Sequence, residues 1–322
     1  MKHLLLCDTS IGSDNVGDEI IMDYCRSHIL SMFGDDTYFI DRIPTHLEIG
    51  QTTYLINDKS EYSFVCGTNI LKTSMLKKKS WKIGLRDAFR LKDLCLMGVG
   101  WGSYNSFKTD FYTKFIYKSI LSKKLLHAVR DNYTKLRLAE LGIKNVIVTA
   151  CPTMWNLSPE HCKSIPKKKS ENVITALTHY TADKEYDVKM LHLLSQNYGK
   201  IYLWLQQAED LDYFYSLNSG VNVHLIKPLL NDYDSLLSSE DVDFVGSRLH
   251  GGIRALNHKR RTLILAVDNR AAEIHKDTNL PVVDRKDIAS IEAWINGSMS
   301  TEITLPIDNI SEWKNQFCVD AK

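Results

Sequence analysis

Residues 242–258 read VDFVGSRLHGGIRALNH and join a short apolar run to a stretch with apolar residues at helical spacing. A short run of this kind is typical of a strand buried in a parallel sheet. The glycine and serine that follow it predict a tight turn, after which a helix begins. Short apolar runs alternate with amphipathic stretches along the rest of the sequence as well. The alternation predicts the α/β class, built from repeated strand–helix units.

The alternation places strands and helices in both halves of the chain. In the first half we predict strands near Leu4–Cys7, Thr37–Ile40, Ser63–Cys66, Leu94–Met97, Leu125–Val129 and Val146–Val148, and helices at Asp18–Phe33, Asp110–Ser122 and Asn132–Leu141. In the second half we predict strands at Val173–Leu177, Lys200–Leu205, Val221–Leu225, Val242–Val245 and Thr262–Val267, and helices near Lys184–Tyr198, Asp210–Leu217, Tyr233–Ser238, Leu249–His258, Arg270–Asp277 and Lys286–Asn296. Candidate site residues should follow the strands, because parallel sheets bind ligands beyond their carboxyl ends.

The length of the chain, 322 residues, exceeds the size at which one hydrophobic core stops growing, so two domains are expected. Residues 158–171 contain two prolines and a lysine run without helical or strand periodicity, which predicts a linker. We therefore predict Rossmann-like domains over 1–157 and 172–300, and a helical tail over 301–322. Two doubly wound domains joined in this way face each other across a cleft that can hold a ligand.

Composition limits the partners of the protein. Lys and Arg number 40 against 39 Asp and Glu, so the formal charge of +1 gives no basic field for nucleic acid. The local basic clusters are either solvated loop and helix ends or docking faces for an anionic lipid; they lie at Lys77–Lys79, Lys123–Lys124, Lys167–Lys169 and Lys259–Arg261. Seven cysteines without a CxxC pair or metal-ligand spacing predict reduced thiols in a cytoplasmic protein and no metal site. Without a signal peptide or a run of ~20 apolar residues, any membrane contact is expected to be peripheral, at the inner face.

The most specific cluster lies at residues 246–254, directly after an apolar run and at the start of a helix. Arg248 and His250 flank this helix start, so a cation, a titratable imidazole and the helix N-terminal amide groups come together. This combination suits a substrate that carries phosphate and carboxylate groups and needs a proton donor. The alternative is that His250 is a structural histidine.

The loop after the first strand, residues 8–18, is small, polar and contains glycine, and it opens a helix. Its backbone N–H groups at Asn15 and Gly17 can cradle an anion. Asp18 either belongs to this cradle or only caps the helix. Tight strand-to-helix turns of ordinary βα units are the alternative explanation for the whole loop.

Further candidates follow other predicted strands. The glycine-rich turns after two strands contain Asn69 and Trp101, and Trp101 could stack on the face of a sugar, although most tryptophans are packed in cores. Arg130 and Arg270 also follow strands, where an arginine suits bidentate binding of carboxylate or phosphate. The alternative explanation for Arg130 is a pairing with Asp131 or a surface ion pair, and the alternative for Arg270 is a solvated helix start.

Taken in order, several segments resemble the polysaccharide pyruvyl transferase family: Asn15–Glu19, Gly98–Gly100, Arg130–Asp131, Ala150–Thr153 and Ser247–Gly251. The resemblance spans about residues 8–280. It implies a fold similar to that of two-domain glycosyltransferases of the GT-B type, phosphoenolpyruvate as the donor and no metal or nucleotide cofactor. The implied product is a pyruvate ketal on a lipid-linked or nucleotide-linked precursor of a capsule, exopolysaccharide or wall glycan. Residues 67–69 and 268–270 depart from the family pattern, and the latter keep the positive charge through Arg270.

Ketal formation from phosphoenolpyruvate requires an acid and cations, and the candidate residues supply both. We expect His250 to be the general acid and Arg248, Arg130 and Arg270 to bind phosphate and carboxylate. The loop residues Asn15, Gly17 and Asp18 would cradle the donor, and Asn69 and Trp101 would bind the acceptor. Asp8 is the candidate base for the attacking hydroxyl.

A nucleotide-sugar-dependent glycosyltransferase of the same architecture is the alternative enzyme, because fold alone does not determine function. Its ribose-binding carboxylate would come from the second domain, where Glu273 is the candidate. A non-catalytic glycan-binding module is a third interpretation, which the convergence of His250 with several arginines disfavours. Thermal stabilisation by phosphoenolpyruvate, compared with stabilisation by nucleotide sugars, distinguishes these classes.

Overall fold

The computed structural model describes residues 1–34, 37–76, 80–102, 104 and 107–318. The chain divides into two compact units. Unit 1 comprises Met1–Ser13, Ile21–Trp155 and the residues from Pro306 onward, and unit 2 comprises Asp14–Ile20 and Asn156–Leu305. Each unit contains its own parallel sheet and its own hydrophobic core.

Unit 1 alternates strands and helices from its first residues. Its elements up to the division are β1 (Lys2–Asp8), α1 (Val16–Phe33), β2 (Tyr38–Pro44), α2 (Gln51–Lys59), β3 (Ser60–Cys66), α3 (Leu85–Ala88), β4 (Leu94–Met97), α4 (Phe111–Ile120), β5 (His127–Val129), α5 (Asn132–Glu140) and β6 (Val146–Val148), with the first turn of α1 assigned to unit 2. The parallel sheet has the order β2-β1-β3-β4, and β5 pairs with β6 in parallel. The strand residues Leu5, Val65 and Leu96 lie in its core.

Unit 2 is built on a six-stranded parallel sheet. Its elements are α6 (Pro159–Lys163), β7 (Asn172–Thr175), α7 (Lys184–Asn197), β8 (Ile201–Trp204), α8 (Ala208–Leu217), β9 (His224–Ile226), α9 (Leu230–Ser239), β10 (Val242–Gly246), α10 (Leu249–Asn257), β11 (Thr262–Ala266), α11 (Asn269–Thr278), β12 (Val282–Asp284) and α12 (Ile288–Asn296). The strand order is β12-β11-β10-β7-β8-β9, so it reverses between β7 and β10. Sheets of this kind bind ligands at such a reversal, beyond the carboxyl ends of the strands.

The last described helix, α13 (Ile307–Asn315), belongs to unit 1. Trp313 is fully buried, and its ring centroid lies 5.9 Å from that of Phe64 and 5.6 Å from that of Trp155. Phe317 packs against the same Phe64 with a centroid distance of 5.1 Å. Because aromatic side chains bury large apolar areas, α13 is an integral part of the interior of unit 1.

The predicted α/β class with doubly wound parallel sheets is confirmed. Most predicted elements are present within a few residues of their predicted limits, and β4 and β6 have the predicted limits. The helices α2, α3 and α6 and the strand β12 were not predicted. In α2 the buried positions are Thr53, Tyr54 and Asn57, so the helix lacks the apolar periodicity that would reveal it.

The two units differ in their limits from the predicted domains. Residues 14–20 group with unit 2, and the residues from Pro306 onward group with unit 1. The stretch 158–171, predicted as a linker, lies in unit 2 and begins with α6, where the Ser158 hydroxyl accepts from a first-turn N–H at 3.2 Å. Pro159 occupies the first helical position, where its missing N–H has no intrahelical partner to lose. Pro159, predicted from the sequence to lie in a linker, is therefore the first residue of a helix.

No helix in the described part of the chain is long and apolar enough to cross a membrane. Among the basic clusters, Lys77–Lys79 lies outside the described residues. In the cluster Lys259–Arg261, Arg261 is buried and its guanidinium lies 2.7 Å from the Asp243 carboxylate. Arg261 is therefore part of the interior of unit 2, so for this residue neither the solvated helix end nor the docking face is correct.

Candidate active site

The carboxyl ends of β7 and β10 lie side by side where the strand order of unit 2 reverses. The Thr178 and Ser247 hydroxyls that follow these strands are 2.8 Å apart. Gly246 allows the close approach, because a Cβ there would lie 2.7 Å from the main-chain nitrogen of Ala176. A pocket opens beyond the two strand ends, and its walls include Asn15, Gly17, Tyr180, Arg248, His250 and Arg270.

Arg248 is buried in the wall of this pocket, and several groups hold its guanidinium. Its Nε donates to the Leu177 carbonyl at 2.9 Å, and both terminal nitrogens donate to Gln207 Oε1 at 3.1 Å. Asp210 forms an ion pair with Nη2, and the Tyr180 ring centroid lies 5.1 Å from the guanidinium carbon. The position of this charge is therefore set by the protein before any ligand binds.

Asp210, in the first turn of α8, organises this side of the pocket. Its buried carboxylate accepts from the main-chain N–H groups of Gln206 and Gln207 at 3.2 and 3.1 Å. The Nδ1 atom of His179 lies 3.0 Å from the same carboxylate. Asp210 therefore joins the turn after β7, the turn after β8 and Arg248 in one network, in which the loss of any member affects the others.

His250 lies in the first turn of α10 and lines the pocket. Arg248 occupies the N-cap position of the helix, and an arginine side chain has no acceptor with which to cap the first-turn N–H groups. These N–H groups and the positive end of the helix dipole favour an anion at this position. A half-buried imidazole in the same turn can donate a proton to a ligand bound there.

Arg270 follows β11, lies in the first turn of α11 and lines the same pocket. Its guanidinium pairs with Asp268 at 2.6 Å, and Asp268 caps α11 by accepting from the Arg270 N–H at 2.8 Å. Burial disfavours the charged form, but the ion pair with Asp268 outweighs burial and raises the pKa of Arg270. The Arg270 Nη2 also lies 3.4 Å from the Tyr180 hydroxyl. Tyr180 therefore spans the distance between the two pocket arginines.

The loop before α1 supplies the remaining predicted pocket residues. The Val16 N–H donates to the Gln206 carbonyl at 3.1 Å, which attaches the loop to the turn after β8. The Gly17 N–H donates to Asn15 Oδ1 at 3.0 Å. Asp18 lies in the first turn of α1, and its N–H donates to the Asn15 carbonyl at 2.9 Å. Asn15 and Gly17 thus reach the pocket, and Asp18 supports the turn that presents them.

The charges of the pocket are balanced in pairs. Arg248 is paired with Asp210 and Arg270 with Asp268, so any anionic ligand would meet arginines that are already partly neutralised. The N–H groups of α10 add to the attraction for an anion. The cavity measures only about 40 Å³, room for a few waters, so a larger ligand requires the partly exposed Tyr180 or Arg270 side chain to move.

A model of the family described as polysaccharide pyruvyl transferase matches residues 15–269. The chain belongs to the polysaccharide pyruvyl transferase family. The match covers most of the chain and includes the pocket residues Asn15, Tyr180, Arg248 and His250. The predicted family is therefore confirmed.

Solved structures similar to this family member include two epimerases and a glycosyltransferase. A UDP-GlcNAc 2-epimerase from Neisseria meningitidis bound to UDP-GlcNAc is 15% identical, with a TM-score of 0.48, over 99% of this chain and 94% of that chain. A second UDP-N-acetylglucosamine 2-epimerase is 10% identical, with a TM-score of 0.49, over 98% and 94%. A lipopolysaccharide outer core galactosyltransferase in its apo form is 10% identical, with a TM-score of 0.44, over 98% and 95%. No curated protein matches the sequence significantly.

Other predicted site residues of this pyruvyl transferase family member lie in unit 1. Asp8 is fully buried at the end of β1, where its carboxylate accepts from the N–H and hydroxyl of Ser10 at 2.8 and 2.6 Å and lies 3.5 Å from Arg42. Arg130 follows β5, is buried and donates to Asn69, so a donor-binding and an acceptor-binding candidate are bonded to each other. The catalytic role of Asp8 and the binding roles of Arg130 and Asn69 stay predictions.

Gly100 makes room for the Arg130–Asn69 contact. A Cβ at this position would lie 2.4 Å from Arg130 Nη2 and 2.4 Å from Asn69 Oδ1. The Arg130 Nε lies 3.7 Å from an Asp131 carboxylate oxygen and has no hydrogen-bond partner among the described residues. A buried donor in this state is costly unless a ligand or water accepts from it, which is consistent with a binding role.

Trp101 does not have the predicted role of a sugar-stacking residue. Its side chain is fully buried, and its Nε1 lies 3.4 Å from the Thr73 hydroxyl. The Tyr117 ring packs against it edge-on at 6.3 Å, and the Arg137 guanidinium lies 5.4 Å from the ring centroid. The prediction is wrong because the indole contributes more to stability by filling the core of unit 1 than by remaining exposed in a glycine-rich turn.

Sequence reasoning missed the residues that position Arg248, namely Asp210, Gln207, His179 and Tyr180. They follow β7 and β8, so the rule that site residues follow strands could have found them. Glu273, the candidate ribose-binding carboxylate of the alternative enzyme, instead pairs with Lys276 at 2.7 Å. Across the described ranges, no three His, Cys, Asp or Glu side chains are grouped so that they could hold a metal ion.

Proposed function

We propose that the protein transfers the enolpyruvyl unit of phosphoenolpyruvate onto two hydroxyls of one sugar, forming a pyruvate ketal and releasing phosphate. The acceptor is a precursor of a surface polysaccharide such as a capsule or exopolysaccharide. Membership of the polysaccharide pyruvyl transferase family supports the class of reaction. The observation that carries the proposal is the unit 2 pocket, where a helix N-terminus, Arg248, His250 and Arg270 line one cavity.

The reaction needs one protonation and two additions. A proton is added to the methylene carbon of phosphoenolpyruvate, which becomes a methyl group and leaves positive charge on the central carbon. The first sugar hydroxyl adds to this carbon and loses its proton. The bond between the carbon and the phosphate oxygen then breaks, with its electron pair leaving on phosphate. The second hydroxyl adds to the same carbon and loses its proton, which closes the ketal ring.

The pocket residues have distinct roles in this sequence of steps. His250 donates the proton to the methylene carbon, since it is the imidazole that lines the cavity. Arg248 and the first N–H groups of α10 bind the phosphate, and Arg270 binds the carboxylate. Asp210 is a positioning residue, because it pairs with Arg248 and does not itself line the pocket. Asn15, Gly17 and Asp18 complete the donor cradle.

The proposal also assigns roles in unit 1 and a location to the reaction. Arg130 adds to donor binding, Asn69 binds the acceptor, and Asp8 is the base for the attacking hydroxyl. The acceptor is a glycan that we propose to be a lipid-linked oligosaccharide, modified at the cytoplasmic face of the membrane. Phosphoenolpyruvate is a co-substrate, and neither a metal nor a nucleotide cofactor takes part.

The test is phosphate release from phosphoenolpyruvate by the purified protein with and without a glycan acceptor. We expect release only when the acceptor is present, and mass spectrometry should show that the acceptor gains a pyruvate ketal. A chelator should leave the rate unchanged, since arginines and amide groups supply the positive charge. Transfer of a hexose from a nucleotide sugar, or a rate that a chelator abolishes and a divalent ion restores, would contradict the proposal.

A further inference from the structure

Four large apolar side chains of unit 1 are exposed on the helix α3, at the residue that follows it, and on the helix α4. Phe111 is 92% exposed, Phe89 72%, Leu85 50% and Phe115 41%. The Phe89 and Phe115 rings lie 5.7 Å apart, which joins the two helices into one surface. Leu85 and Phe89 are four residues apart, as are Phe111 and Phe115, so each pair shares a helix face. We call these four side chains the phenylalanine patch.

The exposure of the patch is not required by the packing of α4. The opposite face of this helix contributes Ile116, Tyr117 and Ile120 to the core of unit 1, and all three are fully buried. The helix thus has an apolar face that stabilises the unit and a second apolar surface, at Phe111 and Phe115, that faces solvent. Soluble proteins rarely maintain such a surface unless it binds something.

Basic residues predominate in the two segments that carry the patch. Residues 85–90 and 107–118 contain two acidic residues, Asp87 and Asp110, and five basic residues, which are Arg86, Arg90, Lys108, Lys114 and Lys118. The Asp87 carboxylate accepts from the Tyr54 hydroxyl at 2.5 Å, and the Asp110 carboxylate caps α4 at 2.7 Å. Both acidic groups are engaged in local structure, and the two segments that carry the phenylalanines have an excess of three positive charges.

We propose that the phenylalanine patch and its basic surround dock unit 1 onto an anionic lipid bilayer. The phenylalanines enter the boundary between headgroups and acyl chains, and the lysines and arginines contact lipid phosphates. A protein partner would need an apolar socket and an acidic rim in the same arrangement, whereas an anionic bilayer offers both at every point. The surface shares no residue with the pocket, and it rests on the proposed function only for its purpose, which is access to a lipid-linked acceptor.

Vesicle co-sedimentation tests the docking without any substrate, so its failure is distinct from failure of the proposed reaction. We expect the full chain to sediment with vesicles that combine phosphatidylcholine and phosphatidylglycerol, to bind phosphatidylcholine alone much more weakly, and to be released by salt. The triple variant Phe89→Ser, Phe111→Ser, Phe115→Ser should bind at least about tenfold more weakly. A matched variant of unit 2, Tyr215→Ser, Leu225→Ser, Leu229→Ser, removes exposed apolar side chains elsewhere and should bind as the parent does.

A fluorescence measurement keeps the test independent of the triple variant. Six of the seven cysteines are buried and Cys318 is exposed, so a Cys318→Ser background allows one environment-sensitive dye to be placed by Phe111→Cys. Anionic vesicles should shift its emission to the blue, while a dye placed by Leu225→Cys should not respond. Equal binding by the triple and matched variants, or an unresponsive dye at position 111, would overturn the proposal. So would self-association of the parent that the triple variant abolishes, without binding to vesicles.

Discussion

Replacing Arg248 with alanine removes the cation of a buried ion pair and leaves Asp210 behind. Both side chains are at most 3% exposed, so the carboxylate cannot regain water without a structural change. Breaking such a pair costs about 3–5 kcal/mol. The Asp210 carboxylate keeps its hydrogen bonds from the Gln206 and Gln207 N–H groups and its contact with the His179 imidazole. We therefore expect the free energy of unfolding to fall by about 3 kcal/mol, the lower end of this range. For a unit of this size the melting temperature should fall by roughly 6–12 °C.

A second substitution separates the structural role of Arg248 from its binding role. Asp210→Asn in the Arg248→Ala background removes the orphaned charge and keeps the shape of the side chain, so at least half of the lost stability should return. Affinity for phosphoenolpyruvate should stay low in both variants, because the charge-assisted contact to the donor is absent from each.

The parent, Arg248→Ala, Asp210→Asn and the double variant would be compared by urea and thermal unfolding, followed by circular dichroism, and by calorimetric titration with phosphoenolpyruvate. If the loss in free energy of unfolding of the double variant equals the sum of the losses of the two single variants, Arg248 and Asp210 do not stabilise each other. Donor affinity restored in the double variant would refute the assignment of Arg248 as a phosphate ligand.

Two further predictions concern histidines. His250→Gln keeps a polar side chain but removes the titratable proton, so single-turnover transfer should slow by ~10²- to 10⁴-fold while donor binding is retained. If the variant transfers at the rate of the parent, the imidazole has a structural role only. Burial lowers the pKa of His127 to about 4, and its ring accepts from the Leu96 N–H through Nδ1 at 3.1 Å while Nε2 lies 2.9 Å from the Ser122 carbonyl. The pKa of this imidazole in the folded protein lies below its unfolded value near 6.5, so below that pH the unfolded state binds the proton more readily. The free energy of unfolding should therefore fall by about 3 kcal/mol as the pH falls from roughly 6.5 to 4. In urea unfolding, His127→Gln should lose less free energy of unfolding than the parent between roughly pH 6.5 and 4. The exposed His192→Gln should lose as much as the parent, and the assignment would be contradicted if both variants showed the same dependence of unfolding free energy on pH.

The sequence predicts most of the fold because buried parallel strands are short apolar runs. Strands β4 and β6 were predicted at their observed limits for this reason, since each is bounded by turn residues. Strand β12 was missed because only two of its residues, Val282 and Val283, are apolar, and neither is fully buried at the edge of the sheet. Two partly buried apolar residues followed by an aspartate cannot be distinguished from a loop by their pattern.

The candidate site was predictable where it lies in one segment of sequence. Arg248 and His250 were found together because they flank one helix start. The counter-ions Asp210 and Asp268 were not assigned, since the sequence does not show which carboxylate a folded arginine will meet. The burial of Trp101 likewise depends on the side chains that surround it in three dimensions, not on the glycines beside it.

The position of α13 affects how the protein is made. Unit 1 contains β1–β6, yet Trp313, which packs against Phe64 and Trp155, follows residues 156–305 of unit 2 in the sequence and is synthesised after them. Domains generally fold as they emerge, the N-terminal one first. Here the aromatic interior of the first unit stays incomplete until the whole of unit 2 has been translated. The nascent chain therefore carries an open apolar surface on unit 1 throughout the synthesis of residues 156–305, and unit 2 can complete its core first.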